Sequence, residues 1–137
     1  MKAVTGTFLG TGAILSLGIG FKPDFVRVFN ITSATLESIE WNKGMAGVTA
    51  IAEGIKRSGD AAVADSKLVA TAGVSEFSGG NKAGAAQTTY LVAGGTTYEF
   101  EAAAAGDVIP DGFTLAADAD VNANAEVCYF EAGCYDN

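Results

Sequence analysis

Few residues in this chain combine type and spacing in a way that could do chemistry, and the densest group is Asp118-Ala-Asp120-Val-Asn122-Ala-Asn124-Ala-Glu126. Five oxygen-bearing side chains at every second position resemble the start of a loop for a hard cation such as calcium, which takes several oxygens. Compared with an EF-hand loop, Ala123 stands where the turn glycine belongs and Tyr129 where the bidentate glutamate belongs. The segment therefore reads first as an Asx-rich turn leading into a last strand. A cation held by Asp118, Asp120 and Asn122 is the alternative, and no metal-ligand set is assigned. Glu99 and Glu101 fall on one face of a strand, where such pairs are ordinarily solvated rather than poised for glycoside hydrolysis.

The nucleophile chemistry is thinner still. The chain has no histidine, which removes Ser-His-Asp and Cys-His arrangements, imidazole bases and His-ligated zinc. Gly10/Gly12 and Gly18/Gly20 lack the third glycine of a dinucleotide fingerprint, and there is no Gly-Lys-Ser/Thr phosphate loop. Cys128 and Cys134 are six residues apart, too few ligands for a metal centre. Three readings of them stay open: unpaired thiols, a local disulfide tying down the tail, or bridges between subunits. The expectation is a binding or structural module with no catalytic residue and no cofactor, not an enzyme.

Charge narrows the partners. The chain has 8 Lys+Arg against 16 Asp+Glu, and every basic residue lies at or before Lys82. The first 82 residues sum to +1, and the last 55 carry nine acids and no base. Nucleic-acid binding needs clustered cations to displace phosphate counterions, and an anionic membrane surface needs the same, so neither is expected as a partner. The stretch Ala3 to Gly20 is too rich in Thr and Gly for a secretory h-region, and Phe21-Lys22-Pro23-Asp24 offers no cleavage site.

The elements that must position these residues are short strands. At 137 residues and 49% hydrophobic composition the chain is expected to form one domain, 1–137, with a real core. Lys2 to Leu9 and Ala13 to Ile19 read as strands around Gly10-Thr11-Gly12, as in a hairpin. Phe25 to Ile31 is the strongest strand and, apolar on both faces, a central one. Leu36 to Trp41 alternates so that Ile39 and Trp41 face the core. Met45 to Arg57 is ambiguous: Met45, Val48, Ile51, Ala52 and Ile55 recur as on a helix, but Gly47 and Gly54 weaken it in favour of a loop with short strands. Ser58 to Ala64 and Ser78 to Ala86 read as surface loops. Lys67 to Thr71 and Gly73 to Phe77 read as short strands, Thr88 to Val92 and Thr96 to Glu101 as a hairpin across Gly94-Gly95. Phe113 to Leu115 and Glu126 to Glu131 complete the set. Eight to ten strands without βαβ alternation argue for an all-β, antiparallel β-sandwich or jelly-roll-like fold.

Two segments together resemble a known group. They are Gly18-Ile-Gly-Phe-Lys-Pro-Asp-Phe-Val-Arg-Val-Phe-Asn30, followed by Glu40-Trp-Asn-Lys-Gly-Met45, and Asp111-Gly-Phe-Thr-Leu-Ala-Ala-Asp118-Ala-Asp120-Val-Asn122, followed by a Tyr/Phe-rich strand. The pattern is similar to small virion structural proteins of tailed bacteriophages, and it covers about half of the chain. The resemblance implies a β-sandwich present in many copies on a particle and made in the host cytoplasm. Its leading form is a head decoration (cement) protein that binds the major capsid protein and itself, as a trimer or other cyclic oligomer. A tail-fibre or receptor-binding module for surface glycans is the alternative. Since the near-neutral first part would suit an acidic shell better than the acidic last part, Lys2, Val4, Phe8, Lys22, Arg27 and Lys43 are expected to supply the capsid or subunit contact.

Overall fold

The computed structural model describes residues 1–32, 37–58, 66–81, 88–94, 97–102, 108–118 and 120–135; of 66, 81, 88–94 and 97–102 the backbone alone is described. In chain order the strands are β1 (Lys2–Leu9), β2 (Leu15–Gly18), β3 (Phe25–Asn30), β4 (Ser38–Asn42), β5 (Gly54–Arg57), β6 (Ser66–Val69), β7 (Val74–Phe77), β8 (Gly80–Asn81), β9 (Thr88–Gly94), β10 (Thr97–Ala102), β11 (Val108–Ile109), β12 (Gly112–Leu115) and β13 (Val127–Cys134). A six-stranded sheet in the order β1-β13-β3-β4-β5-β6 packs against a five-stranded sheet in the order β10-β9-β2-β12-β7, and β8 pairs with β11 at the side. The all-β sandwich expected from the sequence is therefore the fold. It is antiparallel throughout except for β2 and β9, which pair parallel.

Side-chain alternation builds the core. Val26, Val28, Ile39, Trp41, Cys128, Phe130 and Ala132 point inward from the larger sheet, and Leu15, Leu17, Val74, Phe113 and Leu115 are buried in the smaller one. Phe130 lies 5.7 Å from the Phe113 ring and 6.3 Å from Phe8, bridging the two layers. Deleting one such ring costs about 3–5 kcal/mol, so register is fixed by this face. Trp41 satisfies its indole by donating from Nε1 to the Ala52 carbonyl at 3.1 Å.

The structure changes two local expectations. β1 and β2 do not form a hairpin: β1 pairs with β13 and β2 with β12 and β9, so the chain changes sheet at Gly10–Gly12. A hairpin would have left the apolar faces of both strands on one layer, whereas crossing sends Phe8 and Leu15 into the same core from opposite sides. Gly10 is needed at the crossing because a Cβ there would run into the Ala123 carbonyl. Met45 to Arg57 follows the favoured reading, a loop with a short strand, and forms no α-helix. It makes two 3-10 turns, Lys43–Gly47 and Thr49–Ile51, and then β5, whose Gly54 has φ of 122°. Second, β13 runs to Cys134, past the expected end at Glu131. β9 and β10 pair as the expected hairpin, with Gly94 in β9 opposite Thr97 in β10; residues 95 and 96, the expected loop 58–64 beyond Ser58, and residues 82–86 lie outside the described residues.

Candidate functional site

Four of the five polar side chains of the Asp118–Glu126 segment, those of Asp118, Asp120, Asn122 and Glu126, meet protein partners. Asp118 Oδ1 accepts from the backbone of Asp120 at 2.7 Å and of Val121 at 3.0 Å, the Asx-type turn expected. Its other oxygen and Asp120 Oδ2 accept from the Lys56 ammonium at 2.8 and 2.7 Å. Asn122 is fully buried: Nδ2 donates to the carbonyls of Ala13 at 2.5 Å and Ala116 at 3.1 Å, and Oδ1 accepts from Thr11 N at 3.0 Å. Glu126 accepts from the buried Asn30 Nδ2 at 3.0 Å, and the same amide donates to the Asp120 carbonyl at 2.6 Å. The oxygens offered to a cation in the sequence reading thus hold a lysine and pin the sheet crossing at Thr11–Ala13. In this arrangement the cation that Asp118 and Asp120 face is Lys56.

Nothing in the sequence linked Lys56 to these acids, which are more than sixty positions away. The link comes from β5, where Lys56 is opposite the inward-facing Ile39 and so points between the layers. Burial opposes both charges, but the ion pairs and the backbone N–H groups of Val121 and Asp120 outweigh it. Lys56 is consequently held above its ordinary range and Asp118 below its own. Beside this cluster is an open cleft of about 350 Å³, lined by Lys67, Val69 and Thr71 among others. Lys67 is directly opposite Lys56 across the strand pair. The four side chains Lys56, Lys67, Asp118 and Asp120 sum to zero formal charge.

The two cysteines are on one strand, β13. Six residues of extended chain separate them by about 20 Å, far beyond the reach of a disulfide. The local bridge is therefore excluded. Cys128 is fully buried, its thiol donates to the Val121 carbonyl at 3.3 Å, and burial, with the Glu126 charge, pushes its pKa up to about 11. A bridge between subunits through Cys128 is excluded on the same ground.

The expected contact residues divide. Phe8 is 6% exposed and belongs to the core, and half-buried Val4 packs against it, so Phe8 is not a contact residue: its even register in β1 turns it inward with Phe130. Lys2, Lys22 and Lys43 gather at one end of the sandwich. Lys2 Nζ is 5.2 Å from the Phe21 ring, next to Lys22, while Lys43 N donates to the Asp24 carbonyl at 2.7 Å and its ammonium is 3.9 Å from Glu76. The charge split along the chain does not become a split in space, because β13, from the acidic last part of the chain, is inserted between β1 and β3.

Arg27 is instead on the outer face of the six-stranded sheet, and that face is the surface the sequence reading missed. At one end Leu9, Val127 and Ile31 are adjacent on β1, β13 and the end of β3, 59%, 38% and 53% exposed. The next row holds Phe29 and Tyr129, rings 6.2 Å apart, and farther on Phe25 and Tyr135 are 5.6 Å apart. Leu68 on β6 opposes Ile55 on β5. The charges between are matched, Arg27 with Glu131 and Arg57 with Glu40, each at 3.9 Å. The one available signal was that the odd positions of Phe25-Val-Arg-Val-Phe-Asn-Ile31 are at least as apolar as the even ones.

The chain matches no family model, no curated protein and no solved structure. Among the described residues no helix is long and apolar enough to cross a membrane.

Proposed function

We propose that this chain is a decoration protein of a tailed-bacteriophage head, a virion component that binds the assembled shell through the outer face of the six-stranded sheet. The observation that carries the reading is the exposed row Leu9–Val127–Ile31, continued by Phe29 and Tyr129 on a face whose ion pairs are internally matched. A sheet face exposed to solvent ordinarily alternates to polar residues, and contiguous apolar area of this kind marks an interaction surface. The chain carries a net charge of −8, yet on this face arginine and glutamate cancel, so an acidic shell is not repelled. Lys2, Lys22 and Lys43 at one end of the sandwich supply the rim cations. The resemblance to phage virion proteins supplies the partner, the major capsid protein, and the location, the capsid surface of a particle assembled in the host cytoplasm.

Deleting β1 does not test this, because β1 is paired along its length with β13 and contributes Phe8 to the core. The test is binding of the purified protein to undecorated capsids, read by electron microscopy and sedimentation, with Ile31→Asp and Val127→Asp as surface variants. Saturable binding by the wild type and loss in both variants is expected. Absence of wild-type density on the shell, or full occupancy by the variants, overturns the reading.

One observation favours the glycan-binding alternative. Tyr135 is 57% exposed beside the Phe25 ring, an aromatic pair on which a sugar could stack. A glycan array separates the two, since a shell-binding protein gives no signal there.

A further inference from the structure

β1 is the edge of the six-stranded sheet, hydrogen-bonded among the described residues to β13 alone. The direction of its unpaired groups follows from two bonds. Gly10 N donates to the Glu126 carbonyl at 2.9 Å, while the Val127 carbonyl accepts from Ile31 N at 3.1 Å. Even-numbered residues of β13 therefore face β1, and odd-numbered ones face β3. In the observed register Lys2, Val4, Gly6 and Phe8 bond to β13, so Ala3, Thr5, Thr7 and Leu9 direct their N–H and C=O groups off the sheet. All four are exposed. An edge of eight residues, with no proline or bulge and its single charge at one end, has none of the usual defences against strand addition.

We propose that two copies of the chain join edge to edge through β1, antiparallel about a two-fold axis at Gly6. This deepens the decoration reading, on which it rests for its setting, by naming the first neighbour as a second copy. The sequence of the edge favours that occupant and that register. Pairing about Gly6 sets Thr5 against the partner copy's residue 7 and Ala3 against its residue 9 as hydrogen-bonded pairs. Every outward backbone group between residues 3 and 9 is then used. Gly6 meets its own counterpart in the close, non-hydrogen-bonded position, where the absence of a Cβ removes any conflict. Each Leu9 gains the small Ala3 of the other copy as a neighbour, covering one end of the exposed aliphatic row. Charge decides the direction. Lys2 is the only charged residue of β1, and antiparallel pairing places the two ammonium groups a strand length apart, whereas parallel pairing would set them side by side. Strand β10, the edge of the facing sheet, runs along the same flank, so the two layers end together there. With the axis perpendicular to the sheet, both copies present their outer faces on one side, as binding to a single shell requires.

Sedimentation equilibrium on the full chain tests the proposal. The wild type is expected at twice the 13.8 kDa of one chain. Thr5→Pro removes an outward N–H from each copy and leaves the β1–β13 bonds intact. It is expected to weaken self-association about thirty-fold or more. A paired comparison keeps the result decisive if proline perturbs the strand: T5K/T7K places like charges opposite each other and is expected to be monomeric, whereas T5K/T7E places opposite charges and is expected to remain dimeric. A monomeric or trimeric wild type, or equal association of the two charge variants, overturns the proposal. Capsid binding by a monomeric protein would overturn only the dimer, and a dimer that leaves capsids bare would overturn only the decoration reading.

Discussion

Replacing Asn122 tests whether the Asp118–Glu126 segment serves the fold or a cation. Asn122 is fully buried and makes three hydrogen bonds, two donated to the carbonyls of Ala13 and Ala116 and one accepted from Thr11 N. Asn122→Ala leaves those three backbone groups without their partner. An unsatisfied buried group costs about 1–3 kcal/mol. Thr11 is exposed and Ala13 and Ala116 are half-buried, so water partly replaces the amide and about 1 kcal/mol for each is the appropriate figure. The sum is about 3 kcal/mol, which for a chain of this size lowers Tm by roughly 10–15 °C. Asn122→Asp is the sharper variant. It keeps the shape and the acceptor for Thr11 N but cannot donate, and it turns a carboxylate toward two carbonyl oxygens. It is expected to destabilise at least as much as alanine at neutral pH. If the segment were a calcium loop, the added carboxylate would strengthen binding, and saturation to about 100 times Kd would stabilise by about 2.7 kcal/mol. Thermal melts of wild type, Asn122→Ala and Asn122→Asp in EDTA and in millimolar calcium decide the matter. Stabilisation of Asn122→Asp by calcium, or a rise of several degrees in wild-type Tm, would refute the reasoning.

Three further outcomes follow from the core and the ion cluster. Lys56 has its pKa raised, so its contribution is complete below about 10.5 and is lost as pH rises through the folded-state value; Asp118 has its pKa lowered, so its contribution is present above about 3.8 and is lost as pH falls through the folded-state value. Lys56→Met leaves two carboxylates facing each other, one of them 44% exposed, and is expected to cost about 2 kcal/mol near pH 7 and to flatten the alkaline fall in denaturant midpoints; an unchanged alkaline limb would contradict the assignment. Cys128, with a thiol pKa of about 11 and no exposed surface, is expected to resist alkylation at pH 8 until the chain unfolds, and oxidation is expected to form no bridge within the chain, both read by mass spectrometry. Phe8→Ala is expected to lower stability by about 3–4 kcal/mol in chemical denaturation, the signature of a core ring; a stable variant that loses only binding would return Phe8 to the contact surface.

Much of the architecture was legible because strand signals are local. Period-two alternation identified Ile39 and Trp41 as core residues and Phe25 to Ile31 as an interior strand, and β-branched and aromatic residues between turns implied a sandwich. The absence of histidine and of phosphate-binding glycine patterns constrained chemistry from composition alone. Partnership was not legible, because it is set by contacts distant along the chain. Nothing near Gly10–Gly12 reveals that the chain leaves one sheet for the other; that is decided by β13, more than a hundred residues later, taking the place beside β1 that a hairpin would have given to β2. The same holds for the polar residues. Asp118, Asp120 and Asn122 present the same oxygens whether they ligate an ion or cap a turn, and only tertiary packing brings partners to them: β5 delivers Lys56, and the sheet crossing at Thr11–Ala13 delivers the carbonyl of Ala13. Phe8 and Leu9 are neighbours of equal hydrophobicity in the sequence. Pairing with β13 buries one against Phe130 and leaves the other on the outer face, because a strand turns successive side chains to opposite sides of its sheet.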